Sequence, residues 1–220
     1  MAPTRNRKRV IYVCQQCASQ SIRWAGKCPE CGAWNSLVEA VEEASSGPGG
    51  RSGDSPTSPI SLGVLRTRSV PRLLAEGSEF NRALGGGIVP GSLVLLGGDP
   101  GIGKSTLMLQ VSADIANRYG PVLYVSGEES ADQIKLRADR MGVAPDNLLI
   151  LTETCLDDVL AQIEATRPAA VVIDSIQTMY LRETPSAAGS VGQVKECALA
   201  LLRHAKTTHR PVFLVGHVTK

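Results

Sequence analysis

The chain has 220 residues, of which 43% are hydrophobic, and a net charge of +2 at pH 7. That length allows one α/β domain of ordinary size with a small additional module, and the hydrophobic content is sufficient for a packed core. We find no convincing secretory signal and no apolar segment of membrane-spanning length, so we expect a cytoplasmic protein without a membrane partner.

The chain begins with a basic stretch. Residues 1–35 contain six Arg and Lys residues and a single acid, Glu30, although the net charge of the whole chain is small. We treat residues 1–9 as a basic N-terminal arm. Contact with DNA phosphates and simple solubility explain this local charge equally well.

Residues 10–38 form a predicted zinc module. Two pairs of cysteines follow the spacing Cys14-x₂-Cys17-x₁₀-Cys28-x₂-Cys31, and each pair can supply one edge of a tetrahedral Zn²⁺ site. Because all four positions are thiols, no coordination position remains for water, and the metal would be structural. A redox dithiol or two disulfides are the alternatives, which a chain without a secretory signal disfavours.

Both tryptophans of the chain lie in this module. Aromatic side chains beside cations can stack on nucleic-acid bases, which is one role for Trp24. A module this small also needs aromatic side chains for its own core, and we expect Trp34 to be buried there.

Residues 39–59 are predicted to be a flexible linker, because most of them are small, polar or proline. From residue 60 to 220, short apolar runs near 93–96, 122–126, 148–152, 170–174 and 212–216 alternate with amphipathic helical patterns. That alternation predicts an α/β core in which helices cover both faces of a parallel sheet.

A phosphate-binding loop follows the first of these strands. The residues are Gly98, Asp99, Pro100, Gly101, Ile102, Gly103, Lys104 and Ser105. In such a loop backbone N–H groups surround the phosphates of a nucleoside triphosphate, the lysine reaches the β and γ phosphates, and the serine binds Mg²⁺. The next helix, with Leu107, Met108, Val111 and Ile115 on its predicted apolar face, presents its positive dipole end to the phosphates. A glycine-rich turn that happens to contain a lysine is the alternative.

Three acids follow apolar strands at the edge of the sheet where ligands bind. Glu128 and Glu129 come after the second strand, and either carboxylate could assist the water that attacks the γ phosphate, with Glu128 preferred. Asp174 ends the fourth strand, where a carboxylate holds Mg²⁺. The alternatives are that the glutamates only favour the next helix N-terminus and that Asp174 caps a helix.

The remaining signals concern helices and loops. Ser130 with Gln133, and Ser190 with Gln193, each fit a capping box, and residues 182–189 are a predicted loop that could act as a lid or contact DNA. His217 follows the last strand and could contact the γ phosphate or be a structural histidine. The helix from residue 190 has a predicted core stripe of Val194, Cys197, Ala198, Leu201 and Ala205, and His204 and His209 are expected at its solvated end.

Several motifs together resemble the RadA family of bacterial DNA repair proteins, also called Sms. They are the zinc module, the linker and the segments 80–93, 97–106, 124–130, 172–178 and 216–220. The resemblance implies a RecA-like ATPase that forms hexameric rings on single-stranded or branched DNA and drives branch migration in recombination and repair. It also implies that Lys104, Ser105 and Thr106 bind ATP and Mg²⁺, that Lys104 supports catalysis, that Asp174 is the second metal-side acid and that the four cysteines hold zinc. Recombinase or replication proteins are possible partners.

The resemblance also implies that the sequence is the N-terminal portion of a longer protein. Family members continue with a Lys-Asn-Arg-Phe-Gly motif and a Lon-protease-like domain, neither of which occurs here. A loosely ordered tail is the alternative explanation of the abrupt end after the last strand.

Other functions remain open at this point. A GTP switch would carry Asn-Lys-x-Asp and a transporter ATPase would carry Leu-Ser-Gly-Gly-Gln, and neither motif occurs. A helicase-loading or clock-like ATPase is disfavoured by the zinc module. The non-enzymatic alternative is a DNA-binding adaptor that uses nucleotide only as a switch.

Overall fold

The structure is a computed structural model that describes residues 9–17, 19–42, 61–64 and 70–217. The chain divides into two compact units, Met1–Ser69 and Val70–Lys220. Apart from Arg9, the predicted basic arm lies outside the described residues, as do most of the predicted linker and the last three residues. The boundaries proposed from the sequence for the arm, module, linker and core stay predictions.

The first unit contains a small antiparallel sheet. Its strands are β1 (Arg9–Cys14), β2 (Gln20–Ser21) and β3 (Leu37–Glu42), with β1 in the centre. Its buried residues include Cys14, Cys28 and Leu37. Trp34, which we expected in this core, is 73% exposed, so that prediction is wrong. Cys14, Cys28 and Leu37 form the buried centre of this unit in place of an aromatic ring.

The second unit is a five-stranded parallel sheet with helices on both faces, as the sequence predicts. Its elements in chain order are α1 (Ser78–Ala83), β4 (Leu93–Gly98), α2 (Lys104–Tyr119), β5 (Val122–Ser126), α3 (Ala131–Met141), β6 (Leu148–Thr152), α4 (Leu156–Thr166), β7 (Ala170–Asp174), α5 (Val191–Thr208) and β8 (Val212–His217). The spatial order of the strands is β4-β8-β7-β5-β6. All five strands lie where the apolar runs predict them.

Two apolar layers enclose this sheet. Alternate residues of a strand point to opposite faces, so Tyr124 packs with α2 and α3 whereas Leu123 and Val125 pack with α4 and α5. The central strands β5 and β7 are buried along their whole length, which explains their continuous apolar sequences. On α2, Met108, Val111 and Ile115 are buried as expected, but Leu107 is exposed.

Helix α3 begins with the predicted capping box. Ser130 Oγ accepts from the backbone N–H of Gln133, and the Gln133 side chain accepts from the backbone N–H of Ser130. Helix α5 also begins with a capping serine, since Ser190 Oγ accepts from the backbone N–H of Gln193. The reciprocal half of that second box is absent among the described contacts, because the Gln193 side chain is engaged elsewhere.

Gln193 is almost fully buried and fastens the loop that precedes α5. Its Oε1 accepts from the N–H of Leu181 at 3.0 Å, and its Nε2 donates to the carbonyls of Leu181, Thr184 and Ser186 at 3.2, 3.0 and 2.9 Å. The first half of the predicted loop at 182–189 is therefore held by the Gln193 side chain, and Asp157 and Asp158 also bind Arg182 at its start.

The two histidines near the end of α5 differ in their exposure to solvent. His209 is exposed after the end of α5, as expected. The His204 side chain is only 9% exposed, which contradicts the expectation of a solvated position, and burial lowers its pKa. Within the part of the chain that the structure describes, no helix is long and apolar enough to cross a membrane.

Candidate nucleotide site and zinc centre

The loop between β4 and α2 has the backbone shape that its glycines allow. Gly101 and Gly103 have φ values of 81° and 94°, a left-handed region that is strained for residues with a side chain. The first hydrogen bond of α2 runs from the N–H of Leu107 to the carbonyl of Gly103. The N–H groups of residues 104–106 come before that bond and are available for an anion.

Lys104 begins α2 and is only 6% exposed. Its Nζ donates to the carbonyls of Gly98 and Asp99, both at 2.8 Å, and lies 3.4 Å from His217 Nδ1. These contacts use the three donors of the ammonium group. They hold the positive charge over the loop. Phosphate oxygens accept hydrogen bonds in the same way as these carbonyl oxygens.

Asp174 lies at the end of β7 and is joined to the loop through Tyr124. The Tyr124 hydroxyl donates to Asp174 Oδ2 at 2.5 Å and lies 3.5 Å from the carbonyl oxygen of Ser105. Burial first, and then the negative charge of Asp174, raise the pKa of Tyr124. Tyr124 therefore stays neutral and acts as a donor that orients the carboxylate towards the start of α2.

Glu128 and Glu129 point to different partners. Glu128 Oε1 accepts from Ser175 Oγ at 2.5 Å and lies 3.3 Å from His217 Nε2. Glu129 forms an ion pair with Arg137 of α3, and its backbone N–H donates to Ser126 Oγ at 3.0 Å. Only Glu128 of the two thus belongs to the group of side chains around Lys104.

His217 connects that group. Because the Lys104 ammonium can only donate, Nδ1 of His217 is the acceptor, and Nε2 then carries the proton that faces Glu128. A continuous line of polar contacts runs from Lys104 through His217 and Glu128 to Ser175. These side chains come from the carboxyl ends of the neighbouring strands β8, β7 and β5 and from the start of α2.

Gly127 allows the backbone that precedes Glu128 to pass close to neighbouring side chains. A Cβ at this position would lie 2.0 Å from Thr178 Oγ1 and 3.0 Å from Thr154 Cγ2. The Gly127 N–H also donates to the backbone carbonyl of Asp174 at 2.9 Å. The close approach that only glycine permits therefore places Glu128 beside the end of β7.

The four cysteines of the first unit are gathered at one point. Their sulfur atoms all lie within 4.8 Å of one another, with Cys14 and Cys31 at 3.6 Å and Cys17 and Cys28 at 3.7 Å. A tetrahedron with Zn–S bonds of about 2.3 Å has edges of about 3.8 Å. The donor set therefore fits a tetrahedral Zn²⁺.

Polar groups favour a thiolate at Cys28, whereas the Cys17 thiol and burial raise the pKa of Cys31 to about 12. Ser36 Oγ lies 3.2 Å from Cys14 Sγ, and Ser19 Oγ lies 3.1 Å from Cys28 Sγ. The backbone N–H of Cys31, followed by the Ser19 hydroxyl, lowers the pKa of Cys28 to about 6. Hydrogen-bonded thiolates are the form that binds zinc.

The residues that the sequence predicts for the nucleotide site thus share one edge of the sheet. The sequence motifs do not identify Tyr124, Ser175 or Arg137 as site residues. For Tyr124 a signal was present, because a tyrosine within a buried aliphatic strand needs a partner for its hydroxyl. The partners of Ser175 and Arg137 are 47 and 8 positions away in the chain, and no local pattern identifies them.

Comparisons with known proteins agree with both units. Residues 64–220 match the model of the AAA domain family, and residues 12–39 match the rubredoxin metal binding domain. These matches cover the parallel-sheet unit and the four cysteines.

The chain is also similar to curated bacterial proteins named DNA repair protein RadA. It is 48% identical over 226 residues to the protein of Bacillus subtilis (strain 168), covering 100% of this chain and 48% of the relative. Identity is 49% over 211 residues to the Listeria monocytogenes protein, covering 95% and 46%, and 46% over 213 residues to the Pseudomonas aeruginosa protein, covering 96% and 47%.

The chain spans about half the length of these relatives. The resemblance to the RadA family that its motifs indicate is confirmed by these identities. With its parallel-sheet unit and its four-cysteine zinc ribbon, the chain belongs to the AAA domain family and is similar over nearly its whole length to proteins named DNA repair protein RadA.

Proposed function

We propose that the chain is a DNA-dependent ATP hydrolase of DNA repair and homologous recombination. The observation that carries this proposal is the line of contacts from Lys104 through His217 to Glu128 at the carboxyl edge of the sheet. This line of contacts supports the proposal because a cation suited to phosphates and a carboxylate suited to water belong to one group of side chains. The names of the relatives supply the DNA repair context.

In this proposal ATP lies over the loop 98–105. The free N–H groups at the start of α2 bind the β and γ phosphates, and Lys104 exchanges its two carbonyl acceptors for phosphate oxygens. The lysine then stabilises the charge that develops on the transferred group, so it serves catalysis as well as binding.

The Mg²⁺ that accompanies ATP would be held by Ser105, with Thr106 beside it, and by Asp174. When bound it neutralises charge on the phosphate oxygens. Tyr124 fits this arrangement, because its hydrogen bond fixes one oxygen of the Asp174 carboxylate and leaves the other available. Zn²⁺ at Cys14, Cys17, Cys28 and Cys31 would have a structural role.

Glu128 is the residue that we propose to orient and deprotonate the attacking water. Ser175 and His217 hold its carboxylate in place, whereas Glu129 is neutralised by Arg137. His217 lies between Glu128 and Lys104 and is suited to contact the γ phosphate. This arrangement favours Glu128 over Glu129 as the general base.

For the whole protein we propose what the family resemblance implies: a hexameric cytoplasmic ATPase that processes or branch-migrates recombination intermediates, with recombinase or replication proteins as partners. A nucleotide-switched DNA-binding adaptor is the second candidate. It is favoured by one observation, namely that the Glu128 carboxylate already accepts two hydrogen bonds, as an anchoring residue would.

The test is ATP turnover with and without single-stranded DNA, in parallel with nucleotide binding. We expect Lys104→Ala to lose binding and turnover, and Glu128→Gln to keep binding while turnover falls by 10²-fold or more, on the order expected for a general base. Glu129→Gln is the matched control and should retain most turnover. Equal losses in the two glutamine variants would refute the role of Glu128, and nucleotide binding without any turnover would favour the adaptor.

A further inference from the structure

The first unit exposes two tryptophans on its surface. Trp24 and Trp34 are 59% and 73% exposed, although tryptophan is on average a largely buried residue. The described core of this unit consists of the cysteine cluster with Leu37, Tyr12 and Ala25. The two indole rings are therefore not part of the core of this unit, which other residues form.

Both rings lie close to one glycine. A Cβ on Gly26 would be 3.9 Å from Trp24 Cη2 and 3.9 Å from Trp34 Cζ3. Lys27 follows this glycine and its Nζ lies 5.7 Å from the centroid of the Trp34 ring, a cation–π distance. We call Trp24, Trp34 and Lys27, with Gly26 between them, the tryptophan face.

The backbone beneath the tryptophan face is tied down. Lys27 and Trp34 oppose each other in an antiparallel bridge. The N–H of Asn35 donates to the carbonyl of Gly26 at 2.8 Å, and the N–H of Cys28 donates to that of Ala33 at 2.9 Å. The same segment carries two of the zinc-ligating cysteines, so the rings are presented by a fixed scaffold and little order must be created on binding.

Two exposed cations adjoin the tryptophan face. Arg23 precedes Trp24 in the sequence, and Lys27 Nζ lies over the Trp34 ring. Exposed aromatic rings flanked by cations fit a ligand that combines flat π surfaces with negative charge. Single-stranded nucleic acid has both, whereas the bases of a duplex are already stacked on each other.

We propose that the tryptophan face binds single-stranded DNA by stacking bases on Trp24 and Trp34 while Lys27 and Arg23 contact the phosphates. This inference rests on the DNA partner of the proposed function and places one contact outside the nucleotide site. A protein partner is the competing occupant. The core of a protein–protein interface is depleted in charged residues, whereas here the Lys27 ammonium group lies over the Trp34 ring.

Intrinsic fluorescence makes the test specific, because the chain contains only these two tryptophans. The full chain is titrated with oligothymidylate, with an abasic oligonucleotide of the same length, and with a duplex. We expect oligothymidylate to quench the emission and the abasic strand to leave it unchanged, since only bases can stack. Emission that stays constant while oligothymidylate binds would overturn the proposal.

Variants then separate stacking from general apolar contact. Trp34→Leu and Trp24→Leu should each weaken oligothymidylate binding, measured by anisotropy, by about 5-fold to 100-fold. Ile22→Ala removes another exposed apolar side chain of the unit and should change binding less than about twofold. Zinc content is measured for each variant, so that only folded modules are compared. Unchanged binding by a zinc-loaded Trp34→Leu variant contradicts the proposal.

The outcomes distinguish this inference from the proposed function. If DNA still stimulates ATP turnover in a Trp24→Leu/Trp34→Leu variant that binds oligothymidylate as the unmodified chain does, the tryptophan face is not a DNA site and the proposed function stands. If oligothymidylate quenches emission but never stimulates turnover, the tryptophan face is confirmed and the DNA-dependent ATPase fails.

Discussion

The substitution Tyr124→Phe deletes the hydroxyl group of Tyr124 and, with it, the hydrogen bond to Asp174. The Tyr124 side chain is 1% exposed and Asp174 is 6% exposed. Water therefore has little access to the carboxylate oxygen that loses its donor. We expect a loss of both stability and metal-dependent function.

The magnitude follows from the nature of the acceptor. A hydrogen bond to a charged group contributes about 1.5–3 kcal/mol, and leaving a buried charged acceptor unpaired costs at least as much. For a unit the size of Val70–Lys220, each kcal/mol corresponds to about 2–4 °C in Tm. Tyr124→Phe should therefore lower the Tm of this unit by about 3–12 °C.

The chain offers a matched control for this substitution. Tyr119 is 41% exposed and its hydroxyl accepts from the N–H of Leu74 at 2.9 Å. Water can replace the Tyr119 hydroxyl at an exposed site, so Tyr119→Phe should cost about 0.5–1 kcal/mol. Both variants are compared by urea unfolding followed by far-UV circular dichroism, without nucleotide.

A double-mutant cycle assigns the effect to the pair. Combining Tyr124→Phe with Asp174→Asn should reveal a coupling of about 1 kcal/mol or more. The Mg²⁺ concentration needed for half-maximal turnover should rise about 10-fold or more in Tyr124→Phe, because the residue that orients a metal ligand is lost. The reasoning is refuted if Tyr124→Phe is no more destabilising than Tyr119→Phe, or if the coupling is absent.

Three further predictions concern other parts of the chain. Gln193→Ala should destabilise the second unit by about 1–3 kcal/mol and expose residues 181–189 to limited proteolysis. Gln133→Ala, which changes an exposed capping residue, should leave this loop resistant. Equal proteolysis of the two variants would contradict the anchoring role of Gln193. Burial lowers the pKa of His204, so its contribution to stability is complete above its unfolded pKa of about 6.5 and is lost as the pH falls through the folded value. Between about pH 7.5 and pH 5, the urea midpoint of unfolding should therefore fall more for the unmodified chain than for His204→Gln. Parallel pH curves for the two proteins would disprove this role of His204. Cys28→Ser should release zinc and unfold the first unit while nucleotide binding by the second is retained, as measured by metal analysis and ATP titration, and loss of ATP binding would show that the units depend on each other.

The fold of the second unit was predictable because its inner strands are buried on both faces. Runs such as Val122–Ser126 and Ala170–Asp174 are apolar at almost every position, and only a parallel sheet between two helical layers buries such runs completely. The phosphate-binding loop was predictable for a related reason, since its glycines occur where the backbone needs positive φ. These features depend on residues that are close in the chain.

Features that depend on distant partners were not predictable. The sequence places Glu128 and Glu129 side by side, and the choice between them depends on Arg137 and Ser175, which come from other elements. Gln193 fits a capping box locally, but the loop at 181–186 competes for its side chain and provides four hydrogen bonds. For Trp34, the cysteine cluster replaces the aromatic core that a small module would otherwise need.

The register of the parallel strands decides whether the candidate site exists at all. Strand pairing sets His217 opposite Gly98 and Asp174 opposite Ser126. A slip of one residue in either ladder would turn the side chains of the shifted strand to the other face, so His217 could no longer bridge Lys104 and Glu128. Strands β7 and β8 pair with each other and so join these two ladders, and the apolar packing on both faces of the sheet holds the register. The alignment of the phosphate loop with the acids is therefore a consequence of core packing, and core substitutions in β7 or β8 should affect turnover even though they contact none of the polar residues.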